Sequence, residues 1–142
     1  MLKMLIAVDG SPHSQKAIGA VARLAPQTRG IEVVLLNVRE WPLYYGELPP
    51  LDSESIERRQ AEQQRVLLEA ALTEARRLGL DNVVTQAERG APDTEIVRVA
   101  AERGVDQIVL GTHGRGAVGA LFLGSTAQRV VHLAQRPVLL VK

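Results

Sequence analysis

Apolar positions along the chain follow two rhythms, short continuous runs and longer stretches at helical spacing. Leu2 to Val8 is a continuous run that predicts a buried strand, closed by Asp9-Gly10-Ser11-Pro12. Ser11 is placed to cap a helix with Pro12 at its first position, where a missing N–H costs nothing. Ala17, Val21, Leu24 and Ala25 then recur at helical spacing as far as Pro26. Ile31 to Val38 predicts a second strand, and the stretch 39–52 predicts an irregular loop punctuated by Pro42, Gly46, Pro49 and Pro50. A long amphipathic helix follows from Ser53 to Leu78, with Ala61, Leu68, Ala71, Leu72, Ala75 and Leu78 on its expected core face. Glu54 and Glu57 early and Arg76 and Arg77 late suit its macrodipole, and Gly79 stops it. Asn82 to Glu88 predicts a third strand. A helix begins at Asp93, turns Ile96, Val99 and Ala100 inward, and closes at Gly104. Gln107 to Thr112 and Pro137 to Val141 are the fourth and fifth strands, separated by a glycine-rich stretch and a helix starting near Ser125.

Strands that are apolar throughout, alternating with amphipathic helices, indicate a parallel sheet covered on both faces. The expectation is a single doubly wound α/β domain over residues 1–142 with five strands and four helices. Composition agrees with an ordinary globular protein: 46% hydrophobic, 23% charged and a net charge of +1, which gives no general attraction for nucleic acid or a membrane surface. The absence of cysteine excludes disulfides, a cysteine nucleophile and thiolate metal ligands. The N-terminal run is short and lacks a signal-peptide cleavage pattern, and no stretch is long enough to span a bilayer, so the expected compartment is the cytoplasm. One local asymmetry changes the picture. No acidic residue follows Asp106, while Arg115, Arg129, Arg136 and Lys142 remain. Such a segment tolerates a bound anion, although chance in a short tail explains it about as well.

Doubly wound sheets bind ligands at the carboxyl ends of their strands, where strand order reverses. That rule selects Asp9-Gly10-Ser11, Asn37-Val38 and the stretch that opens with Gly111-Thr112-His113-Gly114. Five glycines between Gly111 and Gly124 let backbone N–H groups approach a ligand closely. Gly124-Ser125-Thr126 opens a helix whose free N–H groups and dipole favour phosphate. A flexible loop using glycine only for turns is the plain alternative, but the helix opening, the missing acids and Arg115 together favour phosphate.

Two familiar nucleotide patterns nearly match and are rejected. Gly114-Arg-Gly116-Ala-Val-Gly119 has the spacing of the dinucleotide fingerprint, yet no acidic residue follows to take the ribose. Gly119 to Thr126 resembles a Walker A loop with Ser125 where the lysine belongs, which removes the main cationic partner of the β- and γ-phosphates. A third pattern fits. Gly111-x2-Gly114-x9-Gly124-Ser125 resembles the nucleotide motif of the universal stress protein family. Further points of resemblance are a first strand ending Val-Asp-Gly-Ser, a second ending Asn-Val, Gly90-x-Pro92 before the third helix and a closing Arg-Pro-Val-Leu-Leu-Val. The resemblance implies a Rossmann-like sheet in the order 3-2-1-4-5, with ATP at the switch point between strands 1 and 4. Another adenine nucleotide is the alternative, and Mg²⁺ is expected with the phosphates. It implies that Asp9 meets the ribose hydroxyls and the Val38 backbone faces adenine. It further implies that N–H groups around Gly114, Arg115, Gly124, Ser125 and Thr126 hold the phosphates, with the Ser125 hydroxyl added, and that Gly111, the first glycine of the motif, belongs to the same nucleotide site.

Several residues keep a second reading. Asp9 also suits a helix cap, and Ser125 suits a cap whether or not phosphate is bound. Arg115 reads as a phosphate contact or as a solvated charge. His13, His113 and His132 share no metal-ligand spacing; His13 and His113 fall near the expected pocket, and His132 reads as structural. Trp41, Tyr44 and Tyr45 cover adenine or, preferably, anchor their loop. No residue is clearly placed to activate water, so no catalytic residue is assigned. The expected function is a nucleotide-dependent regulatory or stress-response module with protein partners. A slow ATPase or a dimerisation scaffold with a vestigial pocket are the alternatives. The uncharged Pro137–Val141 strand, at the sheet edge in the implied order, predicts a homodimer through that edge, the alternative being an edge shielded within the monomer by the apolar Ala120-Leu121-Phe122-Leu123 segment.

Overall fold

The computed structural model describes residues 1–41, 53–113 and 123–142. The elements in chain order are β1 (Leu2–Ala7), α1 (Pro12–Leu24) with a single 3₁₀ turn (Ala25–Gln27), β2 (Ile31–Arg39), α2 (Ser53–Arg77), β3 (Val83–Arg89), α3 (Pro92–Glu102), β4 (Gln107–Gly111), α4 (Ser125–Leu133) and β5 (Val138–Val141). The five strands form one sheet in the order β3-β2-β1-β4-β5, and every pairing is parallel. This is the doubly wound arrangement anticipated from the alternating runs.

The core lies in two layers because successive strand residues point to opposite faces. Met4, Ile6 and Val8 pack with Ala17, Ile18 and Val21 of α1 and with Leu68 and Ala75 of α2. Leu5 and Leu36 pack on the other side with Ile96, Val99 and Ala100 of α3 and with Ala127 and Val130 of α4. The inward residues expected of α3 are all buried. On α2 the expectation fails at one end: Ala61 is exposed, and the buried residue in that part of the helix is Gln64. The first half of α2 stands over the polar ends of β2 and β3 rather than over the apolar sheet, so its inward position takes a hydrogen-bonding side chain.

Strand lengths create a gap at the carboxyl end of the sheet. Pairing of β1 with β2 stops at Ala7↔Leu36, whereas pairing of β2 with β3 continues to Arg39↔Arg89. Pairing of β1 with β4 stops at Ile6↔Val109. The central strand is therefore shorter than its neighbours at the point where α1 and α2 leave on one face and α3 and α4 on the other. Gly111, at the end of β4, allows α1 to come close: a Cβ there would lie 2.7 Å from His13 Cβ and 2.9 Å from the His13 carbonyl carbon.

Candidate functional site

A cleft of about 1140 Å³ opens at this gap, lined by the tips of β1, β2 and β4, the inner side of α2 and the start of α4. Its volume suits a ligand of nucleotide size. At the β1 tip, Gly10 takes a positive φ of 80°. Asp9 Oδ1 accepts the Ser11 N–H at 2.8 Å. Ser11, not Asp9, caps α1: its hydroxyl accepts the Ser14 N–H at 3.2 Å, and Pro12 occupies the first turn. Asp9 thus holds the turn that leads into the cap, while its side of the turn lines the cleft.

The β2 tip is fixed by a chain of directed hydrogen bonds. Asn37 Nδ2 donates to the Val8 carbonyl at 2.6 Å, which joins β2 to β1 just beyond their last paired residues. Gln64 Nε2 on α2 faces three acceptors: the Asn37 carbonyl at 2.9 Å, Asn37 Oδ1 at 3.0 Å and the Glu88 carbonyl at 2.9 Å. Gln64 Oε1 accepts from Arg39 Nε at 3.1 Å. Since a guanidinium only donates, Arg39 sets which end of the Gln64 amide faces inward, and that in turn sets the Asn37 amide. Arg39 also forms a two-pronged ion pair with Glu57, which Arg89 joins at 2.6 Å. The Arg39 hydrogen bond, reinforced by the charges of both arginines, holds the Glu57 carboxyl below its ordinary range. The same bond to Glu57 raises the Arg39 guanidinium. Arg89 in turn lies 3.4 Å from the ring centroid of Trp41.

At the β4 tip, Thr112 Oγ1 meets His113 Nδ1 at 2.9 Å, and the His113 ring lies 5.0 Å from that of His13. The Gly124 N–H donates to the Thr112 carbonyl at 2.7 Å, tying the start of α4 to the end of β4. Gly124 is the N-cap of α4, without a side-chain cap, so Ser125 is the first helical residue and not the cap. The next N–H groups, of Ser125 and Thr126, are among those an α-helix cannot satisfy internally.

Two buried side-chain atoms among the described residues have no hydrogen-bond partner, Gln60 Oε1 and His113 Nε2. Both residues line this one cleft. Buried polar atoms are nearly always paired, so two unpaired ones on residues that line one cleft point to a polar partner there.

A model of the universal stress protein family matches residues 1–142. The chain belongs to that family. The universal stress protein in the QAH/OAS sulfhydrylase 3′ region of Thermus aquaticus is 41% identical over 141 residues, covering 98% of this chain and 97% of its own. The crystal structure of the hypothetical protein PH0823 superposes with a TM-score of 0.74 at 32% identity, over 99% of this chain and 95% of its own. A universal stress protein from Archaeoglobus fulgidus, solved in complex with dAMP, has the same fold at 24% identity, with a TM-score of 0.67 over 100% of this chain and 98% of its own.

In this universal stress protein, Asp9, Val38, Gly111, Gly124, Ser125 and Thr126 all line the cleft. Gly114 and Arg115 lie outside the described residues, as do Tyr44, Tyr45 and the 120–122 segment. One expected phosphate donor is already engaged, since the Gly124 N–H is bonded to Thr112. The φ of Gly124 is −59°, so its backbone conformation does not call for glycine. His132 is exposed near the end of α4. Gln60, Gln64 and Arg39 were not selected by sequence, because glutamine and arginine on an amphipathic helix and a strand end look like solvated positions. A signal was present: Gln60 and Gln64 extend the Leu68 stripe backwards at four-residue steps, so they share its inward face.

Proposed function

We propose that this protein binds ATP, accompanied by Mg²⁺, and acts as a nucleotide-dependent regulator in a stress response, with occupancy of the cleft as the switch. The observation that carries this reading is the pair of orphaned polar atoms, Gln60 Oε1 and His113 Nε2, at the α2 and β4 sides of a nucleotide-sized cleft. The dAMP complex of the Archaeoglobus fulgidus relative supports an adenine nucleotide as the ligand class. The Val38 backbone, beyond the reach of β1, would face adenine, and Asp9 would accept from the ribose hydroxyls. Ser125 and Thr126 would donate backbone N–H groups to the phosphates, aided by the Ser125 hydroxyl and the α4 dipole. Gly111 and Gly124 would keep the phosphate end of the cleft open, and Gly114 and Arg115 would complete the phosphate contacts. No group of three or more carboxylates or imidazoles that could hold a metal lies among the described residues. Any Mg²⁺ would enter with the nucleotide and supply charge neutralisation to its phosphates.

The protein would work as a single cytoplasmic domain, paired through β5 with a second copy and read by partner proteins. None of its described helices is long and apolar enough to cross a membrane. A slow ATPase is the second reading, favoured by the unpartnered Nε2 of His113, a residue that lines the cleft. Incubating the protein with labelled Mg-ATP, desalting it and separating the bound nucleotide tests both readings. Retained ATP is the expected result. Accumulating ADP favours the ATPase, and no retained nucleotide contradicts nucleotide binding altogether.

A further inference from the structure

We propose that Gln60 selects a 6-aminopurine, its carboxamide oxygen accepting a hydrogen bond from the exocyclic amine of the base. The inference rests on the nucleotide reading above and names the residue that would set its base preference. Gln60 belongs to one inward stripe of α2: Glu57 one turn before it bonds Arg39 of β2, and Gln64 one turn after it bonds Arg39, Asn37 and Glu88. The stripe therefore stands over the β2 tip, away from Gly124 and the start of α4. Its other polar members are satisfied. Gln64 spends both ends of its amide on protein partners, and Glu57 is held between Arg39 and Arg89. Gln60 lines the cleft, and its Oε1 is buried with no hydrogen-bond partner among the described residues.

An amide oxygen in that position asks the ligand for an N–H or O–H. A nucleotide offers such donors at the ribose hydroxyls and, for adenine, at the 6-amino group. The ribose belongs to the β1 tip, where Asp9 lies. What reaches α2 beyond the β2 tip is the base, whose Watson–Crick and Hoogsteen edges share the 6-amino group. Glutamine pairs with that region of adenine in other recognition settings by the same donor–acceptor match. Leaving the oxygen unpaired costs the protein in the empty state, and only a base with an N–H donor at position 6 offsets that cost.

The test compares ATP with purine riboside triphosphate, which carries hydrogen in place of the 6-amino group and is otherwise the same ligand. Titration calorimetry is run on the full chain, on Gln60→Leu and on Gln60→Glu. We expect the unaltered chain to prefer ATP by roughly tenfold, the equivalent of one buried hydrogen bond. Gln60→Leu should bind ATP about tenfold more weakly and purine riboside triphosphate as before, so the second ligand also reports that the variant is folded. Gln60→Glu, which can only accept, should keep the preference for ATP. Equal weakening of both ligands by Gln60→Leu would assign Gln60 to the ribose or to the fold and overturn the proposal. So would an unaltered chain that does not distinguish the two ligands. A chain that binds neither ligand would overturn the nucleotide reading itself, and this proposal with it.

Discussion

At Gly111 an added Cβ would stand 2.7 Å from His13 Cβ and 2.9 Å from its backbone carbon, closer than packed atoms allow. Backbone cannot step aside as a flexible side chain can. Gly111→Ala is therefore expected to push α1 away from β4 and to lower stability by about 1–3 kcal/mol, the usual cost of overpacking. Urea denaturation measures it, and an unchanged midpoint would show that the contact relaxes freely. Asp9 is a different case, because one of its oxygens already accepts the Ser11 N–H. Asp9→Ala should cost some stability through that turn whether or not ligand binds. Its effect on ligand is separable: each ribose hydrogen bond is worth roughly 1 kcal/mol net, somewhat more to a charged acceptor. The loss of affinity should be smaller for 2′-deoxy-ATP than for ATP. Equal losses measured by calorimetry would confine Asp9 to the turn.

The first half of α2 carries Glu57, Gln60 and Gln64 toward the strand tips, and its electrostatics make the pairing testable. Glu57 is held below its ordinary value of 4.5 by Arg39 and Arg89. A depressed carboxylate contributes stability that is present above the unfolded value and lost as pH falls through the folded one. Thermal melts from pH 7 down to about pH 3 should show a decline below roughly pH 4.5 that Glu57→Gln makes shallower. A variant with the same acid limb as the unaltered chain would show that the pair adds nothing. Gln64→Leu should cost on the order of 2 kcal/mol, since Asn37 Oδ1 and Arg39 Nε lose a partner in a buried setting.

This helix also marks the boundary of what the sequence conveys. Strands of continuous apolar residues, and helices with periodic ones, announce themselves, because burial against the sheet demands a fixed spacing; β1, β2, β4, β5 and the first three helices were legible for that reason, whereas β3 has no fully buried residue and α4 was marked by its Gly124-Ser125-Thr126 opening. Ala61 misled because apolar character was read as inward direction, whereas inward direction there serves hydrogen bonding by Gln64. The cleft residues at strand tips were legible from the topological rule, which says where a doubly wound sheet leaves a gap. Gln60, Gln64 and Arg39 were not, because the amides and guanidinium owe their role to Asn37 and Glu88, distant in sequence and visible only once β2 and β3 are paired.

The sheet as a whole has two edges, and β5 is one of them, all four of its residues half-buried. An apolar edge strand of this kind invites pairing, and a two-fold dimer would close it. Leu139→Pro removes a ladder donor in the middle of β5. Light scattering should report a dimer for the unaltered chain and a monomer for the variant. A monomer for the unaltered chain at high micromolar concentration would contradict the pairing without any variant.

Nucleotide binding at the meeting point of β1, β4 and α4 is the claim on which the rest depends, and Gly124 offers the cleanest access to it. Its φ of −59° and ψ of 151° are open to a β-branched residue, so Gly124→Val is expected to leave the fold intact while placing bulk beside the first N–H groups of α4. Titration calorimetry of Mg-ATP into both proteins is the deciding measurement. The account predicts saturable one-to-one binding by the unaltered chain and no detectable heat from a folded Gly124→Val. Equal affinity in the two proteins, or an unaltered chain that takes up no ATP, would contradict it.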